Sequence, residues 1–224
     1  MLYFEKSHPS PECLNTEQLK VSGDYKCGCV LERLKSDFKN KCYICEDSHP
    51  HTINIEHFRP HKGDKKLMFS WDNLFWSCAH CNNTKLDNFT DILNCTNADD
   101  HVEGRLKYIF KPFPFEKVKI ETLHDSRATE STRDLIETVF NGTTKLKTIE
   151  SANLRDSLLK DIREFQNYLV EYFEETSVGE EKDFVLRKIK SHLNSASKFT
   201  SFKRWIVREN DILLSKFGNL FDNT

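Results

Sequence analysis

Cys42-Tyr43-Ile44-Cys45 and, after 32 intervening residues, Cys78-Ala79-His80-Cys81 are two CxxC units, and the second runs on as Asn82-Asn83-Thr84-Lys85. Two such knuckles, each offering a pair of thiolates, suit one tetrahedral Zn²⁺ held by Cys42, Cys45, Cys78 and Cys81. Four thiolates leave no open coordination position, so this zinc would be structural and any hydrolysis would need a second metal. Between the knuckles lie Ile55-Glu56-His57-Phe58-Arg59-Pro60 and Trp71-Asp72-Asn73-Leu74. The β-branched alternation Thr52-Ile53-Asn54-Ile55, with turn signals at Ser48-His49-Pro50, Arg59-Pro60 and Lys62-Gly63-Asp64, predicts a small metal-held hairpin. Trp71, Phe75 and Trp76 are expected in its core.

On the N-terminal side, Val30, Leu31, Leu34 and Phe38 recur at helical spacing and predict a helix over residues 25–39. On the C-terminal side, Leu106, Tyr108 and Phe110, then Val118 and Ile120, flank Lys-Pro-Phe-Pro-Phe and predict a second hairpin. Ser131 is read as the cap of a helix carrying Leu135, Ile136, Val139 and Phe140, which stops at Asn141-Gly142. Further helices follow from the stripe Leu154, Leu158, Ile162, Phe165 and Leu169, from Val185, Ile189 and Leu193, and from the aromatic-basic run 199–208. No repeat or low-complexity tract is visible. The expected division is an N-terminal helical arm (1–41), the cysteine-framed module (42–95), and a hairpin plus helical region (96–224).

The chain has 224 residues and a formal charge of −2. That balance argues against a protein coating nucleic acid nonspecifically, which needs a large positive excess. Locally, residues 182–216 hold nine Lys or Arg against three Asp or Glu, and a basic C-terminal surface is expected to meet a phosphate backbone. No apolar run approaches the roughly 20 residues of a membrane span, and the start MLYFEKSHPS does not read as an export signal, so the expectation is a soluble, cytoplasmic protein. In a reducing compartment the eight cysteines favour metal ligation over disulfides. By residue type Cys27-Gly28-Cys29 suits metal ligation or a redox pair, but its one-residue gap favours ordinary thiols, and Cys13 and Cys95 have no evident partners.

The order Glu-His, then Asn-Leu, then Asn nine residues later, framed by CxxC pairs, resembles the ββα-metal fold of HNH endonucleases over residues 42–85. The resemblance implies an α+β fold in which a small zinc-stapled ββα-metal module is embedded in a mainly helical body. It also implies His57 as general base, Glu56 and Asn82 as ligands of a catalytic Mg²⁺ or Mn²⁺, and Asn73 as the residue bracing the loop and orienting His57. The residue types suit phosphodiester hydrolysis. A neutral imidazole takes a proton from water near pH 7, and a hard cation neutralises charge growing on phosphate. In an extended strand Glu56 points away from His57, separating ligand from base. Further candidates are His80, as an extra metal ligand or a packing histidine, and Arg59 and Lys85, as phosphate contacts or plain surface charges. His61, Lys62, Lys65 and Lys66 form a basic turn beside the site.

The wider pattern, with Phe-Asn-Gly and Phe-Lys-Arg-Trp, is similar to the HNH subunits of Septu-type antiphage systems and related retrons. This implies a nucleic-acid substrate, DNA favoured over RNA, and a separate ABC-type ATPase partner docking on residues 125 onward. The chain itself has no GxxxxGK(S/T) motif. The competing reading is a zinc-knuckle module that binds nucleic acid or protein without catalysis.

Overall fold

A computed structural model describes residues 1–48, 50, 52–174 and 179–221; His49 of the predicted turn at 48–50 lies outside the described residues. Helices α1 (Glu12–Leu19) and α2 (Gly28–Asp37) pack on one another at the N-terminal side. Val30 and Leu34 fall one turn apart on α2 and are fully buried, as helical periodicity requires. The helix begins later than residue 25, because the Tyr25 ring is used instead against His57 and Phe69. It ends where Lys39 and Asn40 take φ of 53° and 55°, a left-handed turn easier for Asn than for Lys. That turn aims the chain into the first knuckle.

Strand β1 (Ile53–His57) pairs antiparallel with β2 (Leu74–Cys78), with Ile53 opposite Cys78 and His57 opposite Leu74. Their connection holds α3 (Lys65–Met68), capped by the Asp64 carboxylate accepting from Lys66 N and Leu67 N, and a tight turn over Trp71–Asn73. Every residue of β2 is buried, so the strand reads as an apolar run and not as an alternation. Helix α4 (Ala79–Lys85) follows β2 without a loop, and the Cys78 sulfur accepts from Cys81 N at its start. Phe75 of β2 is surrounded by Phe38, Tyr43 and Phe58, with ring centroids 4.8 to 5.4 Å apart. Trp71 and Trp76 are buried with it.

Beyond this unit come α5 (Val102–Arg105) and the second hairpin, β3 (Leu106–Ile109) with β4 (Lys119–Thr122). Helices α6 (Arg127–Asn141), α7 (Lys145–Phe173), α8 (Glu180–Leu193), α9 (Thr200–Arg208) and α10 (Asp211–Phe217) complete the described chain. Helix α6 starts at Ser126, whose hydroxyl accepts from Thr129 N, so Ser131 lies inside it. The apolar pattern misses this first turn because its buried face is threonine: Thr132 donates to Ala128 O and accepts from Leu93 N. Gly142 ends the helix with φ 73°, and a Cβ there would meet Thr148 Cα at 2.7 Å. Only glycine fits that reversal.

One continuous core runs from Met1, Leu2 and Phe4 through Tyr43 and Phe75 to Leu135, Val139, Phe199 and Phe202. The segments 1–41, 42–95 and 96–224 all contribute to it. A second cluster of Phe165, Leu169, Val185, Ile189, Val207 and Phe217 joins α7 to α10. Between the knuckle and α9 sits buried Glu46, which accepts from Ser201 N at 2.9 Å and pairs with the Met1 amino group at 3.3 Å and Lys41 at 3.8 Å. Burial alone would raise its pKa, but those two cations and Ser201 hold it at about 2.

The basic C-terminal stretch is less available than its composition implies. Lys203 is buried against Asp161 at 2.8 Å, Arg204 is buried against Glu103 at 2.8 Å, and Arg208 also reaches Glu103. Core pairing consumes charges that the sequence assigns to a surface. No helix among the described residues is long and apolar enough to cross a membrane.

Candidate functional site

Two adjoining sites are built on β1, β2 and α4. The first is the cluster of Cys42, Cys45, Cys78 and Cys81, all buried, with sulfurs within 4.8 Å of one another. The knuckle geometry is made by backbone: Lys41 bridges Ser48, Cys42 N donates to Asp47 O, and Glu46 N donates to Cys42 O. Burial pushes the Cys42 thiol up, yet hydrogen bonds from Cys45, Cys78 and Cys81 outweigh it and hold Cys42 well below the ordinary thiol range. Cys45 is raised well above that range by its hydrogen bonds to Cys42 and Cys78, and Cys81 by burial. A divalent cation binds such ligands as thiolates and displaces their protons, and the all-sulfur, buried donor set fits a structural Zn²⁺.

The second site is a cleft of about 390 Å³ lined by Glu56, His57, His61 and Asn82, with Lys62 and Asp87 at its rim. His57 ends β1, and its Nε2 lies 2.9 Å from Met68 O. A carbonyl only accepts, so Nε2 carries hydrogen and the neutral ring keeps its lone pair on Nδ1. Burial lowers the His57 pKa below the usual histidine value, and the neighbouring His61, Lys26 and Lys85 push it the same way against the Met68 contact. A pKa below the ordinary value favours the neutral ring at pH 7. Tyr25 and His61 flank it edge-on, each with centroids 4.6 Å away.

Glu56, one residue earlier, is only 5% exposed. Its Oε1 accepts from Lys85 Nζ at 2.8 Å and Tyr43 Oη at 3.0 Å. Its Oε2 is buried with no hydrogen-bond partner among the described residues. Burial lifts the Glu56 pKa to about 6, against the pull of Lys85 and Tyr43. Glu56, with a buried carboxylate oxygen lacking a donor, and half-buried Asn82 line the same cleft, and a carboxylate with a side-chain amide is a donor set that suits a hard cation.

Asn73 ties the loop together. Its Oδ1 accepts from Arg59 N at 2.7 Å, while Nδ2 donates to Arg59 O at 2.9 Å and Leu67 O at 3.1 Å. The loop so fixed includes Met68, whose carbonyl sets the His57 tautomer.

No protein-family model matches the chain. The chain is similar to the Septu protein PtuB of Bacillus mycoides (strain KBAB4), 36% identical over 88 residues. The matched part is 33% of this chain and 30% of that protein, so the likeness spans less than a third of the relative's length.

The three further candidates separate. His80 has both ring nitrogens engaged, Nδ1 with Glu150 and Nε2 with Val139 O, each at 2.8 Å. It joins α4 to α6 and α7, which is the packing role of the two that its type allows. Lys85 is wholly buried, and its Nζ also donates to Phe58 O at 2.9 Å; it therefore offers phosphate no contact. Arg59 is exposed and keeps that option. Sequence reading missed Tyr43 and Met68, which act by long-range contact and carry no local signal. It noticed His61 only as part of a basic turn.

The Glu56–Lys85 pair yields a test. Lys85→Met strands a buried carboxylate, which should cost about 3–5 kcal/mol, measured by urea denaturation at pH 7. The loss should shrink as pH falls toward 6, because without Lys85 the buried Glu56 carboxyl takes up its proton at a higher pH than the about 6 it has beside that cation, and Glu56→Gln on the same background should recover part of it. A Lys85→Met protein as stable as wild type would mean the pair is not held in solution.

Proposed function

We propose that the protein is a metal-dependent endonuclease of the HNH type that hydrolyses phosphodiester bonds of nucleic acid, DNA favoured over RNA, in antiphage defence. The observation that carries the reading is one cleft lined by His57, whose Nε2 is held on Met68 O, by Glu56, whose Oε2 is buried without a partner among the described residues, and by Asn82. The likeness to a Septu protein supplies the defence context. Glu56 Oε2 and the Asn82 amide would hold Mg²⁺ or Mn²⁺, which supplies charge neutralisation at the phosphate.

His57 Nδ1 takes the proton from water as the water oxygen bonds to phosphorus and one ester P–O bond breaks, the leaving oxygen taking a proton from solvent. The imidazolium so formed keeps its Nε2–H on Met68 O, and Asn73 holds that carbonyl in place through the loop. Lys85 and Tyr43 fix Oε1 of Glu56 and leave Oε2 for the cation. The exposed Arg59 guanidinium would meet a backbone phosphate. A separate ABC-type ATPase would dock on the helical body after residue 125 and restrain the nuclease.

The test is strand scission of plasmid DNA and of RNA in Mg²⁺ or Mn²⁺, by the chain alone and with its ATPase partner. Asn82→Ala should fold normally yet need about tenfold or more Mg²⁺ for the same rate. Zinc binding with no scission under any of these conditions would instead favour the non-catalytic module.

A further inference from the structure

Cys13, Cys27 and Cys29 belong to neither site described above. The narrow gap of Cys27-Gly28-Cys29 and the isolation of Cys13 in sequence suggest ordinary thiols, but the fold brings all three sulfurs within 4.8 Å of one another. Cys13 lies in the first turn of α1, Cys27 caps α2, and Cys29 lies in the first turn of α2. Cys13 and Cys29 are joined as a disulfide, and the Cys27 sulfur lies 2.7 Å from that of Cys13. A disulfide uses two sulfurs and gives no reason for a third to converge on them. A metal uses all three.

We propose that in the reduced chain Cys13, Cys27 and Cys29 bind a second Zn²⁺ as three thiolates, with water completing the tetrahedron. The cluster is only partly buried and packs against the edge of the main core, so an ion can enter. The local fold also needs a fastener. Helix α1 has Leu14 as its one buried residue, too little apolar burial to hold an eight-residue helix against α2. Between them the chain doubles back at Gly23, where a Cβ would lie 1.9 Å from Glu17 O.

The fastened segment reaches the cleft. Tyr25, two residues before Cys27, supplies one edge contact to the His57 ring, and Lys65 Nζ donates to Lys20 O at 2.6 Å. The second zinc would hold that wall of the cleft in place. Its existence does not depend on the nuclease reading.

The experiment is zinc per chain, measured by atomic emission on protein purified without oxygen in a water-soluble phosphine. The phosphine is oxidised to its oxide as the disulfide opens, with water supplying the oxygen and the two thiol protons. The decisive variant is Cys27→Ser, because serine is a good helix cap and the Cys13–Cys29 pair stays intact. Wild type should hold one zinc more than Cys27→Ser, and Cys13→Ser and Cys29→Ser should match the lower value. The readout is this difference, so an empty four-cysteine site lowers every value equally and cannot imitate it. Equal zinc in wild type and Cys27→Ser overturns the proposal and leaves a disulfide with a bystander thiol.

Discussion

Replacing His57 with alanine should slow cleavage by about 100- to 10,000-fold, the usual contribution of a positioned general base. The same change should cost only about 1 kcal/mol of stability, because the side chain is half-buried and gives up one hydrogen bond, to Met68 O. The two measurements together distinguish a base from a structural histidine, which would show the reverse balance. The pH profile adds a sign. Burial and nearby cations favour the neutral ring, so the reactive form is lost on acidification only below the ordinary histidine pKa of about 6.5. The rate should therefore rise with pH, pass its midpoint below that value, and be level by pH 7. His61→Ala removes a like-charged neighbour and should move the midpoint up. A His57→Ala protein that cuts as fast as wild type would end the catalytic assignment.

Why some of this was legible in sequence and some not follows from how each feature is encoded. The two cysteine pairs and the alternation leading to His57 depend on short-range spacing, so Cys42 to Lys85 announces a hairpin around four sulfurs, while the helix after Cys78 follows only from the resemblance to a ββα-metal fold. The helices of the C-terminal half are written in apolar periodicity, and the stripe from Leu154 to Leu169 lies along α7. What sequence hides is pairing over long range. Lys85 looks like a surface charge until β1 and α4 meet and bury it on Glu56. Lys203 and Arg204 look like a basic patch until α7 and α5 supply Asp161 and Glu103. His80 sits between two cysteines and by type suits either a ligand or a packing histidine, until α6 and α7 claim both its nitrogens. Cys13 has no partner within ten residues in sequence and finds two in space. In each case the residue type is informative, but its role is set by an element 14 or more positions away.

Cys81→Ser should lower the melting temperature further than any change in the cleft. Structural zinc contributes about 10–16 kcal/mol to the folding of isolated zinc-finger peptides at pH 7, which rivals the about 5–15 kcal/mol total stability of a whole domain. Here the loss should be smaller than that, because Tyr43, Phe38 and Phe75 continue to pack beneath the knuckles. A cost of about 5 kcal/mol corresponds to a fall of about 10–20 °C in a chain of this size. The damage should also travel. The first knuckle carries Glu46, which anchors α9 through Ser201 N and Phe199 N, so near-ultraviolet circular dichroism from the helical body should weaken as well. Asn82→Ala, which touches only the cleft, should melt close to wild type, and Cys95→Ser, buried but outside the cluster, should fall by far less than Cys81→Ser. Acid should imitate the mutation, because the ligands bind as thiolates and protons compete with zinc. Zinc release followed with a chromogenic chelator should therefore precede unfolding as pH falls. A Cys81→Ser chain that melts within a few degrees of wild type would show that these four sulfurs do not fasten the fold, and the cleft would have to be held in place by the aromatic core alone.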